Sequence, residues 1–175
     1  MKPELVNVVA TADLQQRVSL TEISRLPHTI HDQEIYGGRV AYLKTPEMHG
    51  KVTIFPSGKL ISVGTRSPQQ AQEDIQTTGQ ILLSADLIEP VELTTTLRNL
   101  VAVLTLPETV DLEKLAWENN VIYEPEQFPG AIIKTTQPKA THLVFSSGKI
   151  VISGTRSIQE LQEAANWITE ALHKE

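Results

Sequence analysis

The feature that most constrains this chain is a segment that occurs twice. Residues 57–73 read SGKLISVGTRSPQQAQE, and residues 147–163 read SGKIVISGTRSIQELQE. The two copies begin ninety positions apart in a chain of 175 residues. Self-similarity at this spacing indicates one structural module used twice. Because a solenoid needs at least three stacked units, we predict two related halves about a pseudo-twofold axis, residues 1–88 and 89–175.

The composition excludes several classes of protein. Apolar residues make up 40% and charged residues 21% of the chain, as in ordinary globular proteins, and no apolar run is long enough to span a membrane. The first residues lack the layout of a signal peptide, so we expect a cytoplasmic protein. The chain has no cysteine, which rules out disulfides and thiolate metal sites. A net charge of −6 argues against coating nucleic acid by bulk electrostatics but leaves room for a basic or apolar face.

The chain carries no catalytic or metal-binding pattern. Gly37 and Gly38 have neither the spacing nor the following helix of a phosphate-binding loop. The five histidines show no ligand spacing, and for His28 and His31 beside Asp32 a polar loop is the favoured interpretation over a metal site. We therefore predict no enzyme activity, no cofactor and no metal.

Both halves predict the same order of elements. In the first half a strand over residues 6–12 is followed by a short helix over 19–26 with Ser19 as its N-cap, and a long helix runs from the N-cap Ser67 to about Leu87. The strands predicted between these helices lie in EIYGG, RVAYLK, KVTIF and KLISVG.

The second half repeats this order. A strand over residues 97–106 precedes a short helix over 111–119 capped by Asp111, and a last helix capped by Ser157 ends near His173. Its remaining strands are predicted in VIYEPEQF, GAIIKT, THLVF and KIVISG. Consecutive strands joined by tight turns predict an α+β fold, an antiparallel sheet with helices on one face. Trp117 and Trp167 are expected to pack in the core or between helices.

The other face of this sheet is predicted to stay uncovered. Side chains two positions apart share a face of a strand, and Leu60, Ser62, Ile150 and Ile152 are available for the helix side. The residues predicted on the uncovered face are Asn7, Val9, Thr11, Phe55, Ile61, Val63, Asn99, Val101, Val103, Phe145, Val151 and Ser153. Lys59, Arg66, Lys149 and Arg156 are predicted to rim it. Taken singly, each valine is more simply a core residue; as a set they indicate an apolar binding surface.

Four motifs resemble the TATA-box-binding protein family, especially its archaeal form. They are YEPEQFPG (123–130), FSSGKIVISGTRS (145–157), NVVATADL (7–14) and IFPSGK (54–59), and the match spans nearly the whole chain. The resemblance implies a pseudo-symmetric saddle, a curved ten-stranded antiparallel sheet with four helices on its convex side. In that family the concave side grips the DNA minor groove and kinks the duplex with apolar wedges.

The resemblance also implies roles for individual residues. Asn7 and Asn99 match asparagines that donate to acceptors of central A·T pairs. Aromatic wedges are implied at Phe128 and Phe145, with Phe55 and Tyr36 in the corresponding places of the first half. The rim cations match positions near phosphates, as do Lys44 and Lys134 more loosely. Glu124, Glu126 and Gln127 match the loop that docks the B-class initiation factor. The implied function is that of a general transcription initiation factor on A·T-rich promoter DNA.

Departures from the family pattern concentrate in the first half. Tyr36 stands in place of phenylalanine and is followed by Gly37 instead of proline, Val63 replaces a base-contacting threonine, and Tyr42 replaces a basic residue. Ser153 is a milder replacement, and residues 46–55 are two longer than the family spacing. The alternative is a regulatory paralogue that binds partner proteins or an altered element with weak or no bending; a third interpretation is an accessory domain of a nucleic-acid enzyme. Dimerisation of the free protein through its apolar face is left open.

Overall fold

A computed structural model of the chain describes residues 1–118 and 120–173, which form two compact units. One unit comprises residues 7–98, and the other comprises residues 1–6 together with residues 99–175. Each contains an antiparallel sheet, one short helix and one long helix. No helix among the described residues combines the length and apolar character needed to cross a membrane.

The first unit is built on five strands. Their bounds, with those of the helices, are β1 Glu4–Asp13, α1 Leu20–Ile23, β2 Thr29–Ile30, β3 Ala41–Leu43, β4 Lys51–Ile54, β5 Lys59–Thr65 and α2 Pro68–Ser84. The hydrogen-bonded order is β2-β3-β4-β5-β1, and every pair is antiparallel. Because neighbouring strands in space are mostly neighbours in sequence, short turns are enough to connect them.

The second unit repeats this arrangement. Its elements are β6 Thr96–Thr105, α3 Leu112–Leu115, β7 Val121–Ile122, β8 Ala131–Thr136, β9 Lys139–Val144, β10 Lys149–Thr155 and α4 Ile158–His173. The order β6-β10-β9-β8-β7 is the counterpart of the first, again antiparallel throughout. The predicted α+β fold class is confirmed in both halves.

The predicted helix starts are also confirmed. Ser67 accepts a hydrogen bond from the Gln70 amide at 3.1 Å, with Pro68 as the first helical residue of α2, and the Ser157 hydroxyl accepts one from the Glu160 amide at 3.1 Å. Ser19 and Asp111 cap α1 and α3 in the same way. These hydroxyl and carboxylate oxygens satisfy amides that have no partner inside the helix. The helix α2 ends at Ser84, earlier than predicted, and α3 ends at Leu115; residue 119, its predicted end, lies outside the described residues.

Each long helix covers one face of its sheet. The helix α2 packs on β4 and β5, and α4 packs on β9 and β10. The side chains between helix and sheet are fully buried in both units, among them Ile54, Leu60, Ile75 and Leu82 in the first and Ile150, Ile152, Ala164 and Ile168 in the second. Burial of this apolar area, at about 25 cal/mol per Å², is the main term holding helix to sheet. Among the described residues, no helix of either unit covers the opposite face of its own sheet.

Three sequence-based predictions were wrong. EIYGG is not a strand: residues 36–38 form a 3-10 turn in which Tyr36, Gly37 and Gly38 have φ of +50°, +62° and +68°, outside the extended range. VIYEPEQF is a strand only at Val121–Ile122, because the Glu124 carbonyl accepts from the amides of Gln127 and Phe128 and closes a turn. Trp117 follows α3 with 88% of its surface exposed, so it is not a core residue.

Candidate nucleic-acid interface

The uncovered face of each sheet is made by alternation along its innermost strands. In β1, Asn7, Val9 and Thr11 are half-buried, whereas Val8 and Ala10 on the other face are fully buried. The strand β6 shows the same pattern position by position, with Asn99, Val101 and Val103 half-buried. We call this side of the strands the uncovered face of each unit.

The neighbouring strands continue this face. Ile61 and Val63 of β5 are half-buried, as are Val151 and Ser153 of β10, while Leu60, Ser62, Ile150 and Ile152 are fully buried. Thr11 lies opposite Ile61 in the register of the first unit, and Val103 lies opposite Val151 in the second. In each unit, the strand residues predicted on the uncovered face therefore lie on one side of the sheet.

Each asparagine caps a bulge in the adjacent strand. Gly64 of β5 and Gly154 of β10 have φ of +86° and +91°, and one extra residue on these strands shifts the register there. The Gly64 amide donates to Asn7 Oδ1 at 2.8 Å, and the Gly154 amide donates to Asn99 Oδ1 at 2.8 Å. Since an amide N–H needs an acceptor, these contacts assign the oxygen and leave each side-chain NH2 group available as a donor.

The second unit carries a packed aromatic pair. The rings of Phe128 and Phe145 meet edge to face, with centroids 5.7 Å apart and planes at 63°. Both side chains are half-buried. Gly130 leaves room for them, because a Cβ at that position would stand 2.9 Å from Phe128 Cε1 and 3.1 Å from Phe145 Cε1. The pair is thus a pre-packed apolar edge at one side of the sheet.

The first unit has no equivalent pair among its described residues. Phe55 is half-buried, but Tyr36 is 75% exposed and its ring stacks on no other aromatic side chain of the described chain. Eleven positions separate Ile30 from Ala41, whereas nine separate Ile122 from Ala131 at the corresponding strand pairs. The two halves therefore differ in length in residues 31–40. The span from β3 to β4 keeps the register of its counterpart in the second half.

An open apolar groove of about 660 Å³ takes the place of the missing ring contact. It is lined by Tyr36, Tyr42, Phe55, Ile61 and Val63, together with basic side chains that include Lys51. Lys51 Nζ stands 4.3 Å from the centroid of the Tyr42 ring, a cation–π contact. A positive charge is therefore present here although Tyr42 itself is neutral.

The predicted rim cations are all exposed. These are Lys59, Arg66, Lys149 and Arg156, and Lys44 and Lys134 are exposed as well. In residues 1–118 and 120–173 the one close contact between a basic side chain and a carboxylate is His49 Nε2 with Glu73 Oε2 at 3.0 Å, so none of the six is neutralised by a carboxylate there. Exposed, unpaired cations beside an apolar face suit contacts with phosphate.

The loop 123–127 presents its polar side chains to solvent. Glu124, Glu126 and Gln127 are exposed. The Glu124 carbonyl closes the turn by accepting from the amides of Gln127 and Phe128, each at 2.9 Å. A loop with a hydrogen-bonded backbone and exposed carboxylates suits contact with a partner protein.

Arg98 was not among the residues predicted at this face. This exposed side chain donates from Nε to Thr11 Oγ1 at 2.8 Å, next to a residue that was predicted on the uncovered face. The sequence does contain a signal for it. Alignment of ELVNVVATAD with TLRNLVAVLT shows that Arg98 takes the position in the second repeat that Val6 has in the first. No group of three or more His, Asp or Glu side chains suited to a metal ion occurs in the described ranges.

Comparison with known proteins agrees with this geometry. The family model described as "Transcription factor TFIID (or TATA-binding protein, TBP)" matches residues 2–85 and 94–175. The TATA-box-binding protein of Cenarchaeum symbiosum (strain A) is 37% identical over 165 residues, covering 94% of this chain and 90% of that protein. That of Pyrodictium occultum is 36% identical over 170 residues, covering 96% and 84%. The solved structure "Methanococcus jannaschii TBP" superposes with a TM-score of 0.90 at 26% identity, over 100% of both chains. Two matched repeats and relatives above 30% identity over nearly the whole chain show that it belongs to the TATA-box-binding protein family.

Proposed function

We propose that this chain is a general transcription initiation factor that binds the minor groove of A·T-rich promoter DNA, bends the duplex and recruits the B-class initiation factor. The observation that carries the proposal is the pair of asparagines, each capping a glycine bulge and each keeping an NH2 donor on an uncovered apolar face. The relatives are named TATA-box-binding proteins, which disfavours a regulatory paralogue without DNA bending.

The chemistry of this face suits A·T pairs. The minor groove of A·T pairs offers only acceptors, adenine N3 and thymine O2, whereas guanine adds an amino donor. The NH2 groups of Asn7 and Asn99 supply donors, and Val9, Val101 and Val103 supply contacts without hydrogen-bonding groups. A G·C pair would leave its amino group buried without an acceptor, at a cost of about 1–3 kcal/mol.

Bending is assigned mainly to the aromatic side chains. The edge-to-face pair of Phe128 and Phe145 is an apolar wedge already in place, and Phe55 is its single counterpart in the first unit. Inserting such side chains between base steps costs unstacking energy that wider contact with the bent duplex offsets. Contacts of Lys59, Arg66, Lys149 and Arg156 with phosphates add affinity without sequence preference.

The partner contacts follow from the same surfaces. We assign docking of the B-class factor to the exposed loop of Glu124, Glu126 and Gln127. In the absence of DNA, pairing of the uncovered apolar face with a second copy is the contact that such a surface favours. The repeats 1–88 and 89–175 would act as the two halves of one DNA-binding unit, at the nucleoid.

A bend assay tests this function. A duplex with an A·T-rich element carries a fluorescence donor and acceptor at its ends, and the matched duplex has G·C pairs at the central steps. We expect the chain to increase energy transfer on the first duplex and not on the second, and the B-class factor to strengthen the effect. Absence of bending both with and without that factor would overturn the proposal.

A further inference from the structure

The two innermost strands, β1 and β6, carry different side chains at the position just before their shared asparagine. The strands β1 and β6 share one burial pattern over their ten residues, and Asn7 corresponds to Asn99. The residue before the asparagine is Val6 in β1 and Arg98 in β6. A cation therefore stands beside one asparagine and an apolar side chain beside the other.

The guanidinium of Arg98 is held in place. Its Nε–H donates to Thr11 Oγ1 at 2.8 Å, a bond between residues 87 positions apart in the chain and within the unit of residues 7–98. A guanidinium has five N–H donors, so four remain for a ligand. No other hydrogen bond or ion pair of Arg98 is found in the described ranges. Because Nε is already held, the remaining guanidinium N–H groups of Arg98 lose less conformational entropy on binding a ligand than those of a mobile arginine would.

Arg98 forms one wall of a groove on the first unit. The groove has a volume of about 380 Å³, and Thr11, Phe55, Lys59 and Ile61 also line it. Asp13 also lines it, and its Oδ1 accepts from the Gln15 amide at 2.8 Å. The groove thus combines apolar walls with two cations and one carboxylate next to the uncovered face.

We propose that Arg98 inserts into the minor groove on the first-unit side and sets the polarity of the bound element. This inference rests on the proposed function and deepens it. The ligand is a narrow, acceptor-rich stretch of A·T pairs, whose minor groove carries an enhanced negative potential that attracts arginine. The free guanidinium donors bond adenine N3 and thymine O2, and a guanine amino group opposes them.

The two halves then prefer different DNA. The first unit, with Arg98 and without a packed aromatic pair, binds a stiff A-tract in preference. The second unit, with Val6 in place of an arginine and with the Phe128–Phe145 pair, takes flexible T-A steps that kink readily. The asymmetry of the side chains selects one of two orientations on a near-symmetric element.

Tethered cleavage measures this orientation. The chain has no cysteine, so Ser146→Cys, at an exposed turn of the second unit, gives a single attachment point for a DNA-cleaving reagent. The duplex carries an A-tract in one half and alternating T-A steps in the other. We expect the otherwise wild-type chain to cleave the T-A half in preference by about tenfold, because the narrow minor groove of the A-tract attracts Arg98 and leaves the T-A half to the second unit.

Three variants decide the role of Arg98. Arg98→Val installs the residue of the equivalent β1 position and should equalise cleavage of the two halves. Adding Val6→Arg to Arg98→Val should reverse the preference. Arg25→Val, which removes the same charge at an exposed position after α1, should leave the preference unchanged.

The outcomes separate this inference from the proposed function. If Arg98→Val lowers the affinity and the salt dependence but keeps the orientation, Arg98 contacts phosphate only and the inference is wrong. If the wild-type chain binds neither orientation of the duplex, the proposed function fails and the inference fails with it.

Discussion

Asn7 and Asn99 each make a structural hydrogen bond, and we propose that each also contacts DNA. Their Oδ1 atoms cap the Gly64 and Gly154 amides, which would otherwise be bulge donors without a partner in the strand pairing. Because Oδ1 is used in this bond, the side-chain NH2 group is left as a free donor. The structural and the DNA-binding requirement can therefore be separated by changing one atom.

Asn99→Asp makes this separation. The carboxylate still accepts from Gly154, so the free energy of unfolding should change little, but the donor is replaced by a negative oxygen. We expect DNA affinity to fall at least about tenfold, since a buried acceptor of the base then lacks its donor. Titration calorimetry on the A·T-rich duplex measures the loss. Asn166→Asp on α4, where Oδ1 accepts from Gln162 Nε2, adds the same charge as a control and should keep affinity within about twofold.

Tyr36 is the residue that most separates the two halves. Its ring is 75% exposed in a turn with positive φ, and its hydroxyl would have to stay hydrated if the ring entered a base stack. We expect Tyr36→Phe to keep or improve affinity and the bend angle measured by energy transfer. Phe128→Tyr places the same hydroxyl in the packed pair and should reduce bending. Loss of binding in Tyr36→Phe would contradict this assignment.

His142 makes the second unit sensitive to acid. Its ring is fully buried, stacks on Trp167 with centroids 5.5 Å apart, and has no partner at Nδ1; burial lowers the pKa to about 4 from 6.5. Between these values the unfolded chain binds a proton that the folded chain excludes, so stability present above pH 6.5 is lost as the pH falls towards 4. The loss amounts to roughly 3 kcal/mol.

The variant His142→Val tests this linkage. The register places Val52 opposite Ser62 in the first unit, as His142 lies opposite Ile152 in the second, so valine is already accommodated at the equivalent position. We expect urea unfolding between pH 4.5 and 7 to show a flatter pH dependence for the variant than for the wild type. Equal slopes would mean that other groups carry the acid sensitivity.

At the scale of elements, the two long helices make different contacts at one equivalent position. Asp74 of α2 is buried, and its carboxylate accepts from the His49 amide at 3.0 Å and from the Gly50 amide at 2.7 Å. At the equivalent place of α4 stands Ala164, which is fully buried in apolar contact. The first unit therefore holds its β3–β4 loop by charge-assisted hydrogen bonds, which are stronger than neutral ones.

Asp74→Asn should destabilise the first unit by about 1–3 kcal/mol, because one of the two amides that it accepts from loses its acceptor. The neighbouring change Glu73→Gln removes the negative charge from the exposed contact of Glu73 with His49 and should cost less than about 1 kcal/mol. Denaturant unfolding of both variants measures the difference. Equal losses would show that the buried carboxylate is no more important than the surface pair.

At the scale of the whole molecule, an acidic chain presents unpaired cations beside its apolar faces. The net charge is −6, yet Lys59, Arg66, Lys149 and Arg156 are exposed and have no carboxylate partner in the described residues. Binding should therefore depend on a few local phosphate contacts and not on the overall charge.

The double variant Lys149→Gln, Arg156→Gln tests this at equilibrium. We expect the slope of log affinity against log salt to fall by about two, one for each phosphate contact, with the preference for A·T over G·C pairs unchanged. Fluorescence anisotropy at several salt concentrations gives both quantities. Arg25→Gln is the matched control and should leave the slope as it is. A changed base preference in the double variant would indicate that these cations read bases.

Local physics made much of this protein readable from its amino-acid sequence. The serine and aspartate caps, and the two-residue alternation that places Asn7, Val9 and Val63 on one face, depend on neighbours a few positions away. The repeat is visible by comparing segments 57–73 and 147–163 directly. The resemblance in motifs 123–130 and 145–157 then indicated the family. The caps and the alternation were predictable because each is encoded within one element.

The tertiary structure decided what depends on distant neighbours. The orientation of the Asn7 amide follows from a bond across 57 positions and that of Arg98 from one across 87, so no local pattern could supply either. The turn at Tyr36 and the exposure of Trp117 likewise overrode helix and strand patterns. Register, desolvation and side-chain packing arise only when the strands meet, and they determine which donors remain free for DNA.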